Sequence, residues 1–232
     1  MINTALLVHS GDKAEWVFPY FYHFWKKYWT CSDIVDTVVL TENSTWFDNK
    51  PGIVSEKTGE KTWACGIIDY LLRSKYQNII YIHEDYFFTE PTNINKLDDL
   101  LHVFSGLNMS LLKMCGWWAG YIDDQNPHFR TDLKMWLTVD EDLSEIWQYN
   151  NNCPYLISHQ TSIWKREFLL STLLPSMTPW DHELAGTEML RKRNIPIHAY
   201  RGKSPLEYAE AVNRGQKREN ALHLFNEVDN AI

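Results

Sequence analysis

Two pairs of carboxylates fall where a fold could put acids to chemical use. Glu84 and Asp85 sit in the run Asn78-Ile-Ile-Tyr-Ile-His-Glu-Asp-Tyr-Phe-Phe-Thr-Glu-Pro91, whose Ile- and Tyr-rich start has the composition of a strand buried on both faces. Ligands of an open α/β sheet lie outside the carboxyl ends of its strands, so acids there suggest a bound cation or a polar substrate. An acidic turn with no ligand explains the same residues. Asp181 and Glu183 stand in Thr178-Pro-Trp-Asp-His-Glu183, which reads as a helix start. Capping and the helix dipole alone stabilise acids there, by about 0.3–1 kcal/mol each. Mg²⁺ or Mn²⁺ typically takes one or two carboxylates together with substrate phosphates. Asp85 could supply the carboxylate and a nucleotide diphosphate the rest, while a second acid set apart from the metal deprotonates a hydroxyl. His198, just ahead of Arg201 and Lys203, is the one histidine grouped with these acids.

Other chemistries lack their motifs. No G-x-G-x-x-G follows a strand, and neither a P-loop nor a G-x-S-x-G elbow occurs. Nine histidines include no H-E-x-x-H spacing. The four cysteines, Cys31, Cys65, Cys115 and Cys153, are too scattered for a zinc site or a disulfide framework and read as reduced thiols. A net charge of −8 argues against a nucleic-acid partner. The cluster Arg191, Lys192, Arg193, Arg201 and Lys203 would meet one or two phosphates at most, and a solvated face is the plainer explanation. The 11 Trp, 12 Tyr and 10 Phe belong mainly in a core, with a few free to stack on sugar rings or bases. No stretch approaches the roughly 20 apolar residues of a membrane span, and the apolar run at 5–8 meets polar residues too soon for a signal peptide. A cytoplasmic protein without an integral membrane segment is the expectation.

The elements that would position the acids alternate. Strands are expected at 4–12, 37–42, 78–83, 109–114, 155–164 and 195–200, with helices at 16–29, 62–73, 91–104, 165–174 and 184–193 and a terminal helix around Leu222, Leu224 and Phe225. Pro19 suits the opening of the first helix. Residues 43–59, rich in Asn, Ser, Pro and Gly, read as a loop, 116–142 as irregular, and 201–217 as a polar segment. Strand–helix alternation implies right-handed crossovers and a largely parallel sheet.

The order of these motifs resembles a known family. The I-I-Y-I-H-E-D-Y-F-F strand end, the S-x-Q-x-x-I-W strand and the P-W-x-x-E helix start resemble the nucleotide-sugar-dependent glycosyltransferases of GT-A fold, from the first strand to about Gly215. The likeness is closest to small stand-alone enzymes of bacterial polysaccharide clusters and large DNA viruses. It implies a Rossmann-like α/β fold spanning 1–232 as one domain, with a nucleotide-sugar half at 1–115 and an acceptor half with a C-terminal helix at 116–232. The resemblance places Glu84-Asp85 at the D-x-D position, with Asp85 as ligand of Mn²⁺ or Mg²⁺. The motif here is H-E-D-Y, a departure that leaves strict metal dependence open. By the same resemblance, His9, Ser10, Gly11, Glu42, Trp63 and Glu84 approach the donor, and Arg201 or Lys203 holds its diphosphate. Trp117, His159, Gln160 and Trp180 face the acceptor, Asp181 or Glu183 is the base, and His198 completes the metal shell.

The implied activity is transfer of a sugar from a nucleoside-diphosphate sugar to a hydroxyl of a glycan or other acceptor, with inversion. A nucleotidyltransferase making sugar nucleotides would share the acidic strand end but needs a glycine-rich basic loop where Ser10-Gly-Asp-Lys13 stands. A binding module without catalysis would need no pairing of Asp85 with Glu183.

Overall fold

The computed structural model describes residues 3–114, 129–137 and 144–230. Its first half alternates Thr4–His9 (β1), Phe18–Tyr28 (α1), Asp36–Thr41 (β2), Ile53–Lys57 (β3), Trp63–Arg73 (α2) and Asn78–His83 (β4). Tyr86–Phe88 (β5), Ile94–Gly106 (α3), Leu111–Lys113 (β6), Phe129–Leu137 (β7) and Ser144–Tyr149 (β8) follow. Next come Ser162–Lys165 (β9), Arg166–Thr172 (α4), Pro179–Arg193 (α5) and His198–Tyr200 (β10). The chain closes with Tyr208–Glu210 (β11), Val212–Asn213 (β12), Gln216–Lys217 (β13) and Leu222–Asp229 (α6).

Among the described residues, nine strands form one sheet in the order β3-β2-β1-β4-β9-β6-β10-β8-β7. β3, β2, β1 and β4 are parallel, β9 opposes both β4 and β6, β10 follows β6, and β8 opposes its neighbours β10 and β7. All strands except β9 and β8 therefore run one way. This is the Rossmann-like, mostly parallel architecture of the GT-A fold.

Both faces are covered, which is why the strands read as unbroken apolar runs. Leu6 and Val8 of β1 and Ile80 and Ile82 of β4 pack with Phe21 and Trp25 of α1, Leu100 of α3 and Phe225 of α6. Their alternates, Ala5, Leu7, Ile79 and Tyr81, pack with Ile67 of α2, Leu169 of α4 and Leu190 of α5. Pro19 lies in the first turn of α1, where its missing N–H costs nothing. Thr62 and Asn93 cap α2 and α3 through their side chains.

Several expected elements change. Residues 43–59 contain β3, an edge strand with no fully buried residue and so without a strong apolar signal. The segment after Asp85 continues as β5, paired antiparallel with β11; the partner comes from the polar stretch 201–217, more than a hundred residues on. The strand expected at 155–164 begins only at Ser162. Ahead of it, amides bond to helix side chains instead of a neighbouring strand: Ile157 N–H donates to Thr187 Oγ1 at 3.1 Å and His159 N–H to Glu183 Oε1 at 2.8 Å. Helix α5 starts at Pro179, five residues earlier than expected, so Glu183 lies within it. Within 116–142, the described part is β7. Among the described residues no helix is long and apolar enough to cross a membrane.

Candidate active site

The carboxyl ends of β1 and β4 open into two adjoining cavities. The smaller, about 270 Å³, is lined by His9, Ser10, Gly11, Glu42, Trp63 and Glu84, among others. The larger, about 650 Å³, takes Asp85, Glu84, His159, Gln160, Trp180 and Glu183 into its wall. His83, Glu84 and Pro179 border both, so Glu84 stands at the passage between them.

Local structure explains each placement. His9 and His83 are cross-strand neighbours at the last rungs of β1 and β4. The turn after β1 is clasped to the end of β2 in both directions. Asp12 Oδ1 accepts the N–H groups of Glu42 and Ser44 and Oδ2 that of Asn43 at 2.9–3.1 Å, and Glu42 Oε2 accepts the Asp12 N–H at 3.2 Å. Gly11 passes close to Glu42, with a side-chain Cβ there lying 3.9 Å from Glu42 Oε1. Trp63 stacks obliquely on His159 and His182, with ring centres 5.0 and 5.6 Å away.

The acids on the two walls differ. Asp181 is committed to its helix: its Oδ2 accepts from Thr178 N–H at 2.9 Å and Thr178 Oγ1 at 2.7 Å, completing a capping box. Those bonds hold its carboxyl below the usual range, and it borders neither cavity. Glu183, two residues on, faces the larger cavity. Burial pushes its pKa up against the opposing effects of the His159 amide and Lys113. Glu84 rises to about 8, by burial and then by the Asp85 charge. Asp85 rises to about 7, by burial and then by Glu210.

Glu210, Arg218, Lys13, Arg214, Trp16, Tyr155 and Tyr208 are functional candidates that sequence reasoning missed. β11 lays Glu210 opposite Tyr86, and Ala211 N–H donates to the Asp85 carbonyl at 2.8 Å. A two-residue turn at Arg214 and Gly215, both at positive φ, joins β12 to β13 in the manner of a type I′ hairpin and carries Arg214 and Arg218 over the larger cavity. A chain of polar groups crosses that wall. Tyr208 O–H donates to Gln160 Oε1, Gln160 Nε2 to Glu210 Oε1 at 2.7 Å, and Arg218 pairs with Glu210 Oε2 at 2.5 Å. Arg214-Gly215 in a polar segment was the available sign of the hairpin, but its docking on β5 is a long-range contact.

Beneath the cavities lies a buried histidine cluster. Thr172 Oγ1 donates to the Leu169 carbonyl, so His182 Nε2–H donates to Thr172 and His182 Nδ1 accepts from His159 Nε2–H. Burial keeps these rings neutral, lowering His182 and His83 to about 4 and His9 to about 3.

The remaining expected residues are not brought to the site. Register places His198 level with Leu112, Ile163 and Ile80, three residues short of His83 and three strands away, roughly 14 Å sideways. The Arg201 guanidinium lies 4.7 Å over the Trp147 ring, and Lys203 pairs with Glu90; neither lines the cavities. The larger cavity is lined instead by the basic side chains of Arg218, Lys13 and Arg214. Trp117 lies outside the described residues.

The donor set suits a hard divalent cation. Among the described residues no group of three or more His, Cys, Asp or Glu forms a complete cage, but Mg²⁺ and Mn²⁺ need only one or two carboxylates when phosphates supply the rest. Glu84 and Asp85 crowd negative charge whose protonation burial favours, and a nearby cation would reverse that preference.

No family model matches the chain, and no curated relative matches it. Solved structures share its fold. The Staphylococcus aureus TarS 1–349 structure in complex with UDP-GlcNAc matches with a TM-score of 0.56 at 13% identity, over 98% of this chain and 65% of that one. The mannosyltransferase PcManGT from Pyrobaculum calidifontis, in complex with GDP-Man and Mn²⁺, matches with a TM-score of 0.50 at 10% identity, over 92% and 58%. The chain thus spans less than two thirds of the length of either. A cytidylyltransferase from Leptospira borgpetersenii aligns over 100% of this chain and 95% of its own, at 11% identity and a TM-score of 0.49.

Proposed function

We propose that this protein is a glycosyltransferase that moves a sugar, with inversion, from a nucleoside-diphosphate sugar to a hydroxyl of a glycan or polysaccharide acceptor. The observation carrying the reading is the sharing of one cavity wall by Asp85 and Glu183, with a second cavity opening from it past Glu84. That arrangement separates a diphosphate-binding acid from a proton-accepting one. In support, the smaller cavity is lined by residues of the first 115 apart from Pro179, the half assigned to the nucleotide sugar. The neighbours of like fold carry UDP-GlcNAc and GDP-Man.

In this reading the nucleoside lies against His9, Ser10, Gly11, Glu42 and Trp63. The diphosphate reaches past Glu84 toward Asp85, where Arg218, Arg214 and Lys13 meet its charge. Asp85, with Glu84 through water, would hold Mn²⁺ or Mg²⁺, a cation that would supply charge neutralisation for the diphosphate. The acceptor stands between Trp180, Trp16 and Tyr155, which are 72%, 40% and 41% exposed at the cavity's edge; exposed aromatic faces suit sugar rings. Glu183 keeps one oxygen on the His159 amide and takes the acceptor hydroxyl's proton with the other. The acceptor oxygen forms its bond to the anomeric carbon as the anomeric C–O bond breaks and its electron pair leaves with the nucleoside diphosphate. A base with a raised pKa is well matched to that proton.

Nucleotidyl transfer would ask more of the turn after β1. That turn has a single glycine, and Asp12 fills its edge with a carboxylate held by three amides, an unfavourable setting for a triphosphate. Unbridged Cys31, Cys65 and Cys153 fit a reducing compartment such as the cytoplasm.

The decisive experiment is a thermal-shift screen against UDP-, GDP- and dTDP-sugars with and without Mn²⁺, followed by assay of nucleoside-diphosphate release. A ligand bound only by the native state raises the melting temperature by mass action. A Mn²⁺-dependent shift with one nucleotide class, and release of that diphosphate, is the expected result. Binding without release would favour a module devoid of catalysis, and pyrophosphate release from a nucleoside triphosphate would favour nucleotidyl transfer.

A further inference from the structure

Among the described residues, Lys113 is the one lysine buried inside the sheet, at 2% exposure. It sits in β6 level with Ser162 and Tyr81. Its neighbours Leu112 and Leu111 divide between the two cores, so the alternation of the strand turns Lys113 with Leu111 toward the face covered by α5. Its ammonium donates to the carbonyl of Tyr155 and lies 5.0 Å from the centre of the Tyr149 ring. Burying an ammonium is costly unless it gains strong partners, so the reason for placing one here lies with the groups it holds.

The reason lies in what Tyr155 begins. Tyr155 has φ of +53°, a conformation strained for an aromatic residue, and it starts the segment that contributes Ser158, His159 and Gln160 to the larger cavity. Three of the bonds that fasten that segment are the Tyr155 carbonyl on Lys113, the Ile157 amide on Thr187, and the His159 amide on Glu183. Helix α5 can approach this closely because residue 186 is glycine; a Cβ there would lie 2.6 Å from Ile157 Cδ1.

We propose that Lys113 is a positioning residue of the transfer reaction: its buried ammonium fixes the strained Tyr155 turn and thereby sets the segment that presents the His159 amide to Glu183. The assignment rests on Glu183 being the base. Among the described residues, the charged and titratable groups around that carboxylate are Lys113 on β6, Glu210 on β11, Tyr81 on β4, His159 ahead of β9 and His182 on its own helix. Of these, Lys113 is the cation that opposes the effect of burial on Glu183.

Two variants and two readouts test it, with Glu183→Gln alongside. Lys113→Met keeps the apolar stem and removes the charge and the donor; Lys113→Gln keeps a donor for Tyr155 and removes only the charge. Lys113→Met is expected to lower kcat about tenfold with donor KM little changed, to move the acid limb of the rate profile to higher pH, and to speed exchange of the bonded amides of Ile157 and His159. Lys113→Gln is expected to restore the slow exchange while keeping the shifted limb. Wild-type exchange and a wild-type acid limb in Lys113→Met overturn the proposal, as does failure of both variants to fold, which would mark a purely structural lysine. Wild-type turnover by Glu183→Gln would instead overturn the choice of base, leaving the exchange result to stand on the segment alone.

Discussion

One oxygen of the Glu183 carboxylate accepts the main-chain N–H of His159 at 2.8 Å. That single bond joins the first turns of α5 to the segment entering β9, so a helix and a turn that are 24 residues apart form one wall of the larger cavity. It also leaves the second carboxylate oxygen available to substrate.

Glu183→Gln preserves an oxygen acceptor for that amide and removes the base. Transfer should fall about 10²–10⁴-fold while calorimetric affinity for the donor stays as in the wild type. Because burial raises the Glu183 pKa and only the ionised carboxylate accepts a proton, wild-type kcat/KM should decline as pH falls through that value. An acid limb that persists unchanged in residual Glu183→Gln activity would assign it to another group.

Asp85 is raised to about 7 by burial and then by Glu210, so a cation binding there must displace a proton. Mn²⁺ affinity should therefore climb as pH rises toward about 7 and level off above it. Titrations at about pH 6 and about pH 8 would show this, and Asp85→Asn should lose both the affinity and its pH dependence. Affinity that is independent of pH in the wild type would place the metal elsewhere.

Arg218 pairs with Glu210 and lowers Asp85, whereas Lys203 pairs with Glu90 away from both cavities. Arg218→Ala should weaken donor binding by about tenfold, roughly 1.4 kcal/mol, and Lys203→Ala should leave it unchanged. Equal losses in the two variants would return the diphosphate role to the 201–203 cluster.

The buried histidines make stability acid-sensitive. His182 and His83 titrate near about 4 and His9 near about 3 in the folded chain, against 6.5 for an unhindered histidine. Below about 6.5 the unfolded chain binds protons that the native state refuses, so stability present at neutral pH is lost as pH falls toward about 4. His182→Leu leaves the His159 N–H without its acceptor, costing about 1–3 kcal/mol at neutral pH, and should flatten the acid slope in urea melts. A slope as steep as the wild type's would shift the effect to other groups.

Local chemistry explains what was legible in advance. Thr4–His9, Asp36–Thr41 and Asn78–His83 are buried on both faces, and two-sided burial writes itself as β-branched apolar runs. Thr62 and Thr178 announce their helices because a cap needs only its own turn. The edge strand β3 stayed hidden because partial exposure leaves no apolar pattern, and β5 and β11 because each is strand only by virtue of the other.

The same division runs through the site. By itself the sequence determined that acids follow the strand ending at His83 and open the helix after Thr178, since composition and periodicity act over a few residues. Which acid faces the cavity was a tertiary decision: Asp181 turns back to cap Thr178, while Glu183 meets the His159 amide. Likewise, register moved His198 three strands away, and the hairpin at Arg214-Gly215 brought Arg218 to Asp85. Residue types set what chemistry was available, but pairing of distant backbone groups decided which side chains share a cavity, and no spacing along the chain encodes that distance.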